Sequence, residues 1–370
     1  MTLHEQVAPE TRATFRLRFA STRPTMAFAG VPMGLDPRAV GAASLSRPPA
    51  ITSLTAAFTI DPAQLPSHGP KGYTRAVIIS ASRRCDMPAF QFDWLLDRLR
   101  DGFCEVPNPW DARRVRRVSL AKADVDCLVL WTRDPRPILA RLGELEDFGL
   151  PFYVQVTITA YPRSLEPGVA PLDGIIEAVR GLARRLGPCR VVWRYDPIIA
   201  ASGLGTDFHA ANFGVLAERL SGAVERVVLS LLDEYRGTAS RLAAAGLRDP
   251  VFGSSRTPAP GHGADATSPG VAAHLPPEPY PAVLGAVAGL AARHAIAPFA
   301  CAEPWDLSSF GIRRGACVDP ELVARIAGGS AVPSGAKDRG QRPFCGCAPS
   351  VDIGRYGPCP AACVYCYARR

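Results

Sequence analysis

The stretch AVIISASRRCDMPAFQFDWLLDRL, residues 76–99, sets the pattern of the chain. A run of apolar and β-branched residues from Ala76 to Ser82 reads as a buried strand. The polar turn SRRCD follows, and then Phe92, Leu95, Leu96 and Leu99 recur at the three- and four-residue spacing of a helix with one apolar face. A strand that turns directly into an amphipathic helix is the repeating unit of a parallel α/β fold.

The same unit recurs downstream. Strands are expected at AVIISAS (76–82), DCLVLW (126–131), PFYVQVTIT (151–159), CRVVWRY (189–195), RVVLSLL (226–232) and AIAPFAC (295–301). The intervening helices are marked by stripes at Ile138, Leu142 and Leu145 and at Ile175, Ile176, Val179, Leu182 and Leu186. About six such units predict an α/β fold of the partial (βα)6, TIM-like barrel type, or a full eight-unit barrel if further strands lie between them.

Two regions fall outside this rhythm. Residues 1–72 are rich in Ala, Pro, Ser and Thr without periodicity, as expected of a disordered leader preceding an α/β domain over 73–344. A transit peptide is the weaker reading, because acids at Glu5, Glu10 and Asp36 interrupt the segment and no amphipathic repeat supports it. Residues 247–279 form a Pro/Gly/Ser-rich insertion, expected to be a solvated linker or a lid.

The closing segment, 345–370, is the richest in chemistry. It holds Cys345, Cys347, Cys359, Cys363 and Cys366, out of 11 cysteines in the chain. Without a secretory signal, clustered cysteines point to a reducing compartment and to metal binding in preference to disulfides. The C-x3-C-x2-C spacing of Cys359, Cys363 and Cys366 lets one loop place three thiolates around a 4Fe-4S cluster. One iron is then left open for a substrate or cosubstrate. Zinc is the alternative, since Cys345-Gly-Cys347 adds thiols nearby.

Composition bounds the partners. A 47% hydrophobic content supports a large core, and 42 Lys+Arg against 34 Asp+Glu give a net charge of +8 and a pI near 9.0. This favours anionic partners, but the basic residues are scattered and no nucleic-acid-binding stripe emerges. No apolar run approaches the ~20 residues of a membrane span, and no signal peptide is evident. No membrane partner and a cytoplasmic location are expected.

In parallel α/β barrels the working side chains stand just past the C-terminal ends of the strands. There the sequence places Arg83, Arg84, Cys85 and Asp86, then Arg133, then Gln155 and Thr157, then Arg194 and Asp196, then Asp233, and finally Cys301 and Glu303. Arg83, Arg84, Arg133 and Arg194 are candidates to grip a carboxylate or phosphate through paired hydrogen bonds. Asp86, Asp196 and Glu303 complete the candidate catalytic set, and Gln155 and Thr157 are candidates to face a cofactor. Helix capping is the competing role for any single Asp in such a place.

The motif CPAACVYC, with aromatic Tyr365 before its third cysteine, resembles the signature of radical SAM enzymes. The resemblance implies that Tyr365 lies beside the adenine of S-adenosylmethionine. Together with IISASRRCDMPAF, VPNPWDARRV, DCLVLWTRDPRPIL, QVTITAY, VVWRYDPII, CAEPW and GACVDPEL, the closing CGCAPSVDIGRYGPCPAACVYCYA resembles a bacterial family, domain of unknown function 1848, from about residue 75 onward. The family carries no assigned reaction. The resemblance implies a radical-SAM-like partial barrel whose cluster motif stands at the C-terminus, whereas in ordinary radical SAM enzymes it follows the first strand. Here that loop, SRRCDMPAF, holds a single cysteine, Cys85, at a place where the family often carries Thr.

The expected function is therefore a radical-SAM-like enzyme that reductively cleaves S-adenosylmethionine to act on an unknown small-molecule or nucleic-acid substrate. Such an enzyme draws its electron from a donor such as a flavodoxin or ferredoxin. The rivals are a non-catalytic zinc or iron-sulfur protein and an enzyme like the nucleic-acid lesion lyases. A second metal site, either another 4Fe-4S cluster or zinc, is expected from Cys301, Cys317, Cys345 and Cys347, although Cys301 and Cys317 could instead be small core residues. Cys85, Cys104, Cys127 and Cys189 read as core or surface thiols.

Overall fold

The computed structural model describes residues 77–109, 111, 113–253, 275–329, 337–338 and 340–369. The leader expected over 1–72 lies outside the described residues, as does 254–274 of the expected insertion. In chain order the elements are β1 (Val77–Ala81), α1 (Met87–Phe90), α2 (Phe92–Asp101), β2 (Phe103–Pro107), β3 (Val115–Ser119), β4 (Val125–Thr132), α3 (Arg136–Ala140), α4 (Leu142–Asp147), β5 (Phe152–Thr157) and α5 (Leu172–Leu186). They continue as β6 (Val191–Ile198), α6 (Thr206–Leu220), β7 (Arg226–Leu231), α7 (Thr238–Ala244), α8 (Tyr280–Arg293), β8 (Ala297–Cys301), β9 (Arg313–Gly315), α9 (Pro320–Ala327) and β10 (Ser350–Asp352).

Eight strands form one sheet in the order β10-β1-β4-β5-β6-β7-β8-β9, and every neighbouring pair is parallel. The six expected strands are its centre. The chain alternates sides with a period of two, so each strand feeds two separate apolar layers. Ile79, Leu128, Leu130, Val154, Val156, Trp193, Val227 and Leu229 pack with helix residues such as Leu95, Ile138, Val179, Phe213 and Val287. On the other face Ile78, Cys127, Val129, Tyr153, Val192 and Val228 meet Leu322 and Val323 of α9 together with Cys301, Cys317, Cys345 and Cys347. Both faces are covered, as a parallel sheet requires.

Among the described residues no pairing joins the edge strands β9 and β10, so the α/β fold is an eight-stranded parallel sheet without the closure that a full eight-unit barrel would need. Its edges, Arg313–Gly315 and Ser350–Asp352, are three residues each and have no apolar run for sequence to register. The stripe Ile138, Leu142, Leu145 is divided between α3 and α4 by a break at Arg141, yet all three side chains remain buried. The antiparallel pair β2–β3 was also not anticipated, and it buries Cys104, Val106 and Val118 against the outer layer. No helix of the described residues is long and apolar enough to cross a membrane.

Strand β10 comes late in the chain and pairs with β1, the first strand. The buried carboxylate of Asp352 makes that joint. It accepts from Ser80 Oγ (2.8 Å), Ser82 Oγ (2.7 Å), Arg83 N (2.7 Å) and Gly354 N (3.0 Å), and the Arg83 and Arg84 guanidinium groups stand at 3.7 and 3.8 Å. Removing one member of such a buried charged network strands its partners, so Asp352→Ala should lower unfolding free energy by about 3–5 kcal/mol. Ser80→Ala, which removes one donor to a charged group, should cost about 1.5–3 kcal/mol. Urea unfolding of both variants measures the difference, and comparable losses would show that Asp352 does not anchor the edge.

Candidate functional site

Four cysteines from distant parts of the sequence meet on the inner face. Cys301 ends β8, Cys317 follows β9, and Cys345 and Cys347 precede β10. All four are buried. The sulfurs of Cys301, Cys345 and Cys347 lie within 4.8 Å of one another, a group that could hold a metal ion. Cys317 is outside that group of three, but it packs in the same buried cluster and its thiol interacts with those of Cys301 and Cys347. As thiols, Cys301, Cys317 and Cys345 donate toward Cys347 and hold it well below the ordinary thiol range. Backbone N–H groups also donate to sulfur, Val318 to Cys347 Sγ at 3.3 Å and Cys347 to Cys345 Sγ at 3.5 Å.

The second group, Cys359, Cys363 and Cys366, lies on the turn-rich loop after β10. Cys363 is buried, whereas Cys359 and Cys366 are half-buried. Their thiols sense one another electrostatically, but they are not part of the tight group. Backbone hydrogen bonds dock the loop: Gly168 N donates to Ala361 O (3.1 Å) and Val364 N to Leu165 O (2.9 Å). Arg241 of α7 donates to the carbonyls of Val364 (2.9 Å) and Cys366 (3.1 Å). Ala361 and Val364 pack with Tyr161, Leu165 and Leu242. Burial pushes the Cys363 thiol up to about 11, with the Arg133 charge opposing it.

A buried polar knot ties this loop to the strand ends. Arg133, just past β4, donates to Tyr365 Oη (2.7 Å) and Thr159 Oγ1 (2.6 Å) and forms an ion pair with Glu166. Thr159 and Tyr365 also donate to Glu166. Burial pushes the Tyr365 hydroxyl well above its ordinary value, so it stays protonated and acts as a donor. The Tyr365 ring lies edge-on to Tyr161, with centroids 6.0 Å apart. Arg133 and Tyr365, expected to serve substrate and cofactor, are therefore bound to each other in this structure.

The remaining expected residues divide by what they touch. Arg83 and Arg84 hold the β10 segment: Arg83 donates to Ser350 Oγ (3.0 Å), and Arg84 donates to Gly354 O (3.1 Å) and lies over the Tyr356 ring. Asp86 caps α1 by accepting from Ala89 N (3.1 Å) and also accepts from Arg133 N (2.7 Å). Gln155 and Tyr153 both donate to Cys317 O (2.6 and 2.7 Å), so Gln155 supports the four-cysteine group. Thr157 is half-buried and pairs in register with Arg194.

Arg194 is paired with Asp196, which also accepts from Ser230, and its guanidinium lies 4.8 Å from the Trp131 ring centre. Glu303 accepts from Leu231 N (2.9 Å), and burial, reinforced by the Asp196 charge, pushes its carboxyl up to about 8. A carboxyl held protonated near neutral pH is equipped to exchange a proton with a bound molecule. Arg194 Nε, Gln155 Oε1 and Trp131 Nε1 are buried without a protein partner.

The family model for Domain of unknown function (DUF1848) matches residues 78–368. The chain belongs to this family. No curated protein and no solved structure matches it. In this DUF1848 chain three structurally central residues escaped sequence reading. Glu166 is one acid in a Pro-rich loop, Asp352 stands in the short stretch SVDIG, and Arg241 is one of many arginines. Each acquires its role from partners far away in the chain.

Two outcomes are expected. A Cβ on Gly168 would sit 1.9 Å from Pro360 O, so Gly168→Ala should unseat the triplet loop while leaving the sheet intact. Timed alkylation should then show Cys363 reacting several-fold faster at an unchanged thermal midpoint, and unchanged protection would mean that the loop docks by other contacts. Burial pushes the Asp86 carboxyl up to about 6 from an ordinary 3.8. The folded state thus holds this proton more tightly, and its contribution to stability is complete below about pH 4 and lost as pH rises through about 6. Asp86→Asn should flatten the fall in thermal midpoint across that window, and a persisting slope would assign it to another group.

Proposed function

We propose that this DUF1848 chain is a radical-SAM-like iron-sulfur enzyme in which Cys359, Cys363 and Cys366 hold a 4Fe-4S cluster. The supporting observation is the docking of the triplet loop by the Arg133, Glu166, Thr159 and Tyr365 knot at the ends of β4 and β5. The donor set suits the group: three soft thiols on one loop leave one iron unligated by cysteine. The positive field of Arg133 favours the thiolate form of Cys363, as a ligand requires. When bound and reduced, the cluster would supply the electron that cleaves S-adenosylmethionine to a 5'-deoxyadenosyl radical.

The chain's own residues have distinct tasks in this reading. Arg133 and Tyr365 position the loop through buried hydrogen bonds. Arg194, still carrying an unpartnered N–H, offers a cation to an anionic group of substrate or cosubstrate. Glu303, protonated near neutral pH, donates or accepts a proton beside Asp196. The half-buried positions of Cys359 and Cys366 would leave the cluster near the surface, within reach of an electron donor such as a flavodoxin or ferredoxin. A small-molecule substrate suits the Arg194, Asp196 and Glu303 set better than a nucleic acid does, because the basic residues are scattered along the sequence and form no run.

A second reading, a protein that binds metal for structure alone, is favoured by the tight buried group of Cys301, Cys345 and Cys347, with Cys317 buried beside it. Anaerobic reconstitution separates the two. About four irons with matching sulfide, and 5'-deoxyadenosine formed only when S-adenosylmethionine and reductant are present, are expected. Cys363→Ala should abolish product formation. Zinc alone, with no 5'-deoxyadenosine, would overturn the enzyme reading.

A further inference from the structure

We propose that Cys301, Cys317, Cys345 and Cys347 bind a single zinc ion in a closed tetrahedral thiolate site that joins the two edges of the sheet. The site is independent of the triplet and would stand even if the radical-SAM-like reading fails. Its nuclearity follows from spacing. Zinc–sulfur bonds of about 2.3 Å place tetrahedral sulfurs about 3.8 Å apart. The sulfurs of Cys301, Cys345 and Cys347 fall within 4.8 Å of one another, and Cys317 packs in the same buried cluster as the candidate fourth ligand. A cubane puts each cysteine on a separate iron and so spreads its sulfurs farther apart than ligands of one ion. The tight group therefore matches one ion.

The surroundings match as well. Soft thiolates select zinc over hard cations, and four of them leave no position open for reaction, as in structural sites. The thiols would release their protons to solvent on binding, leaving about two net negative charges. Two buried arginines face that charge: Arg194 acts electrostatically on Cys301 and Cys317, and Arg83 on Cys347. Each retains a buried guanidinium N–H without a protein partner. The N–H groups of Val318 and Cys347 already donate to sulfur, which stabilises thiolate over thiol.

Position supplies the role. Cys301 and Cys317 belong to the β8–β9 edge, whereas Cys345 and Cys347 lead into β10 at the opposite edge. No strand pairing joins those edges among the described residues. A shared ion would link them covalently where backbone hydrogen bonds do not. Cys317 is further fixed to the sheet centre, because Tyr153 and Gln155 of β5 donate to its carbonyl.

The test uses the full chain carrying Cys359→Ser, Cys363→Ser and Cys366→Ser, so that the triplet holds no metal. We expect about one zinc per chain retained through dialysis, and intense thiolate-to-metal absorption when Co2+ replaces it. Adding Cys317→Ser should weaken zinc binding by about tenfold or more. Since that variant could also fold poorly, a second measurement uses the unmutated chain. Its Cys301, Cys317, Cys345 and Cys347 should resist iodoacetamide until a zinc chelator is added, as read by peptide mass mapping. The proposal is overturned by a triplet variant without zinc, by about four irons and sulfide on these cysteines, or by alkylation that is the same with and without chelator.

Discussion

Much of the molecule depends on one carboxylate. Asp352 collects two serine hydroxyls and two backbone N–H groups and so fastens β10 beside β1. Strand β10 lies in sequence between the two cysteine groups. Anchoring it therefore places Cys345 and Cys347 on one side and the triplet loop on the other. A three-residue strand cannot do this through ladder hydrogen bonds alone, since each contributes only about 1 kcal/mol net. Charge-assisted bonds to a buried carboxylate are roughly twice as strong.

The Arg133–Glu166 pair has a different energetic character. Taking both charges out of water costs several kcal/mol per ion, and their mutual attraction offsets this only when every remaining donor finds a partner. Thr159 and Tyr365 supply those partners, although Arg133 Nε has none in the protein. Such a knot adds little to overall stability compared with apolar packing. It specifies one seat for the cysteine loop, because a shifted loop would leave a buried ion pair incomplete.

The two cysteine groups differ in the chemistry that their geometry permits. The sulfurs of Cys301, Cys345 and Cys347 are buried and lie within 4.8 Å of one another although they come from separated segments. The triplet comes from one short loop, is partly exposed and stands beside polar strand ends. Arg194 pairs with Asp196, whose charge acts in turn on the buried Glu303, so a carboxyl held protonated near neutral pH and a partly unsatisfied guanidinium share one partner. In the proposed reading, reactive chemistry falls to the triplet and mechanical support to the buried group.

By itself the sequence determined the α/β class, the six central strands, most of the apolar stripes of the helices and, among its candidate ligands, Cys301, Cys345 and Cys347, which the structure brings together. All of these are local signals, written in periodicities of two and 3.6 and in short spacings. It did not show that Arg83 and Arg84, legible as polar residues past a strand, act as clamps on β10, and it offered the capping role of Asp86 only as the competitor of a catalytic one. Nor did it show that Arg133 and Tyr365 bind each other, or that Glu166 and Asp352 matter at all. Those roles depend on contacts between residues such as Ser80 and Asp352, which are distant in sequence and adjacent only once the sheet is ordered. The edge strands β9 and β10 were decided the same way: three residues have no intrinsic preference strong enough to form a strand, and it is the buried partners supplied by the tertiary structure that make them strands.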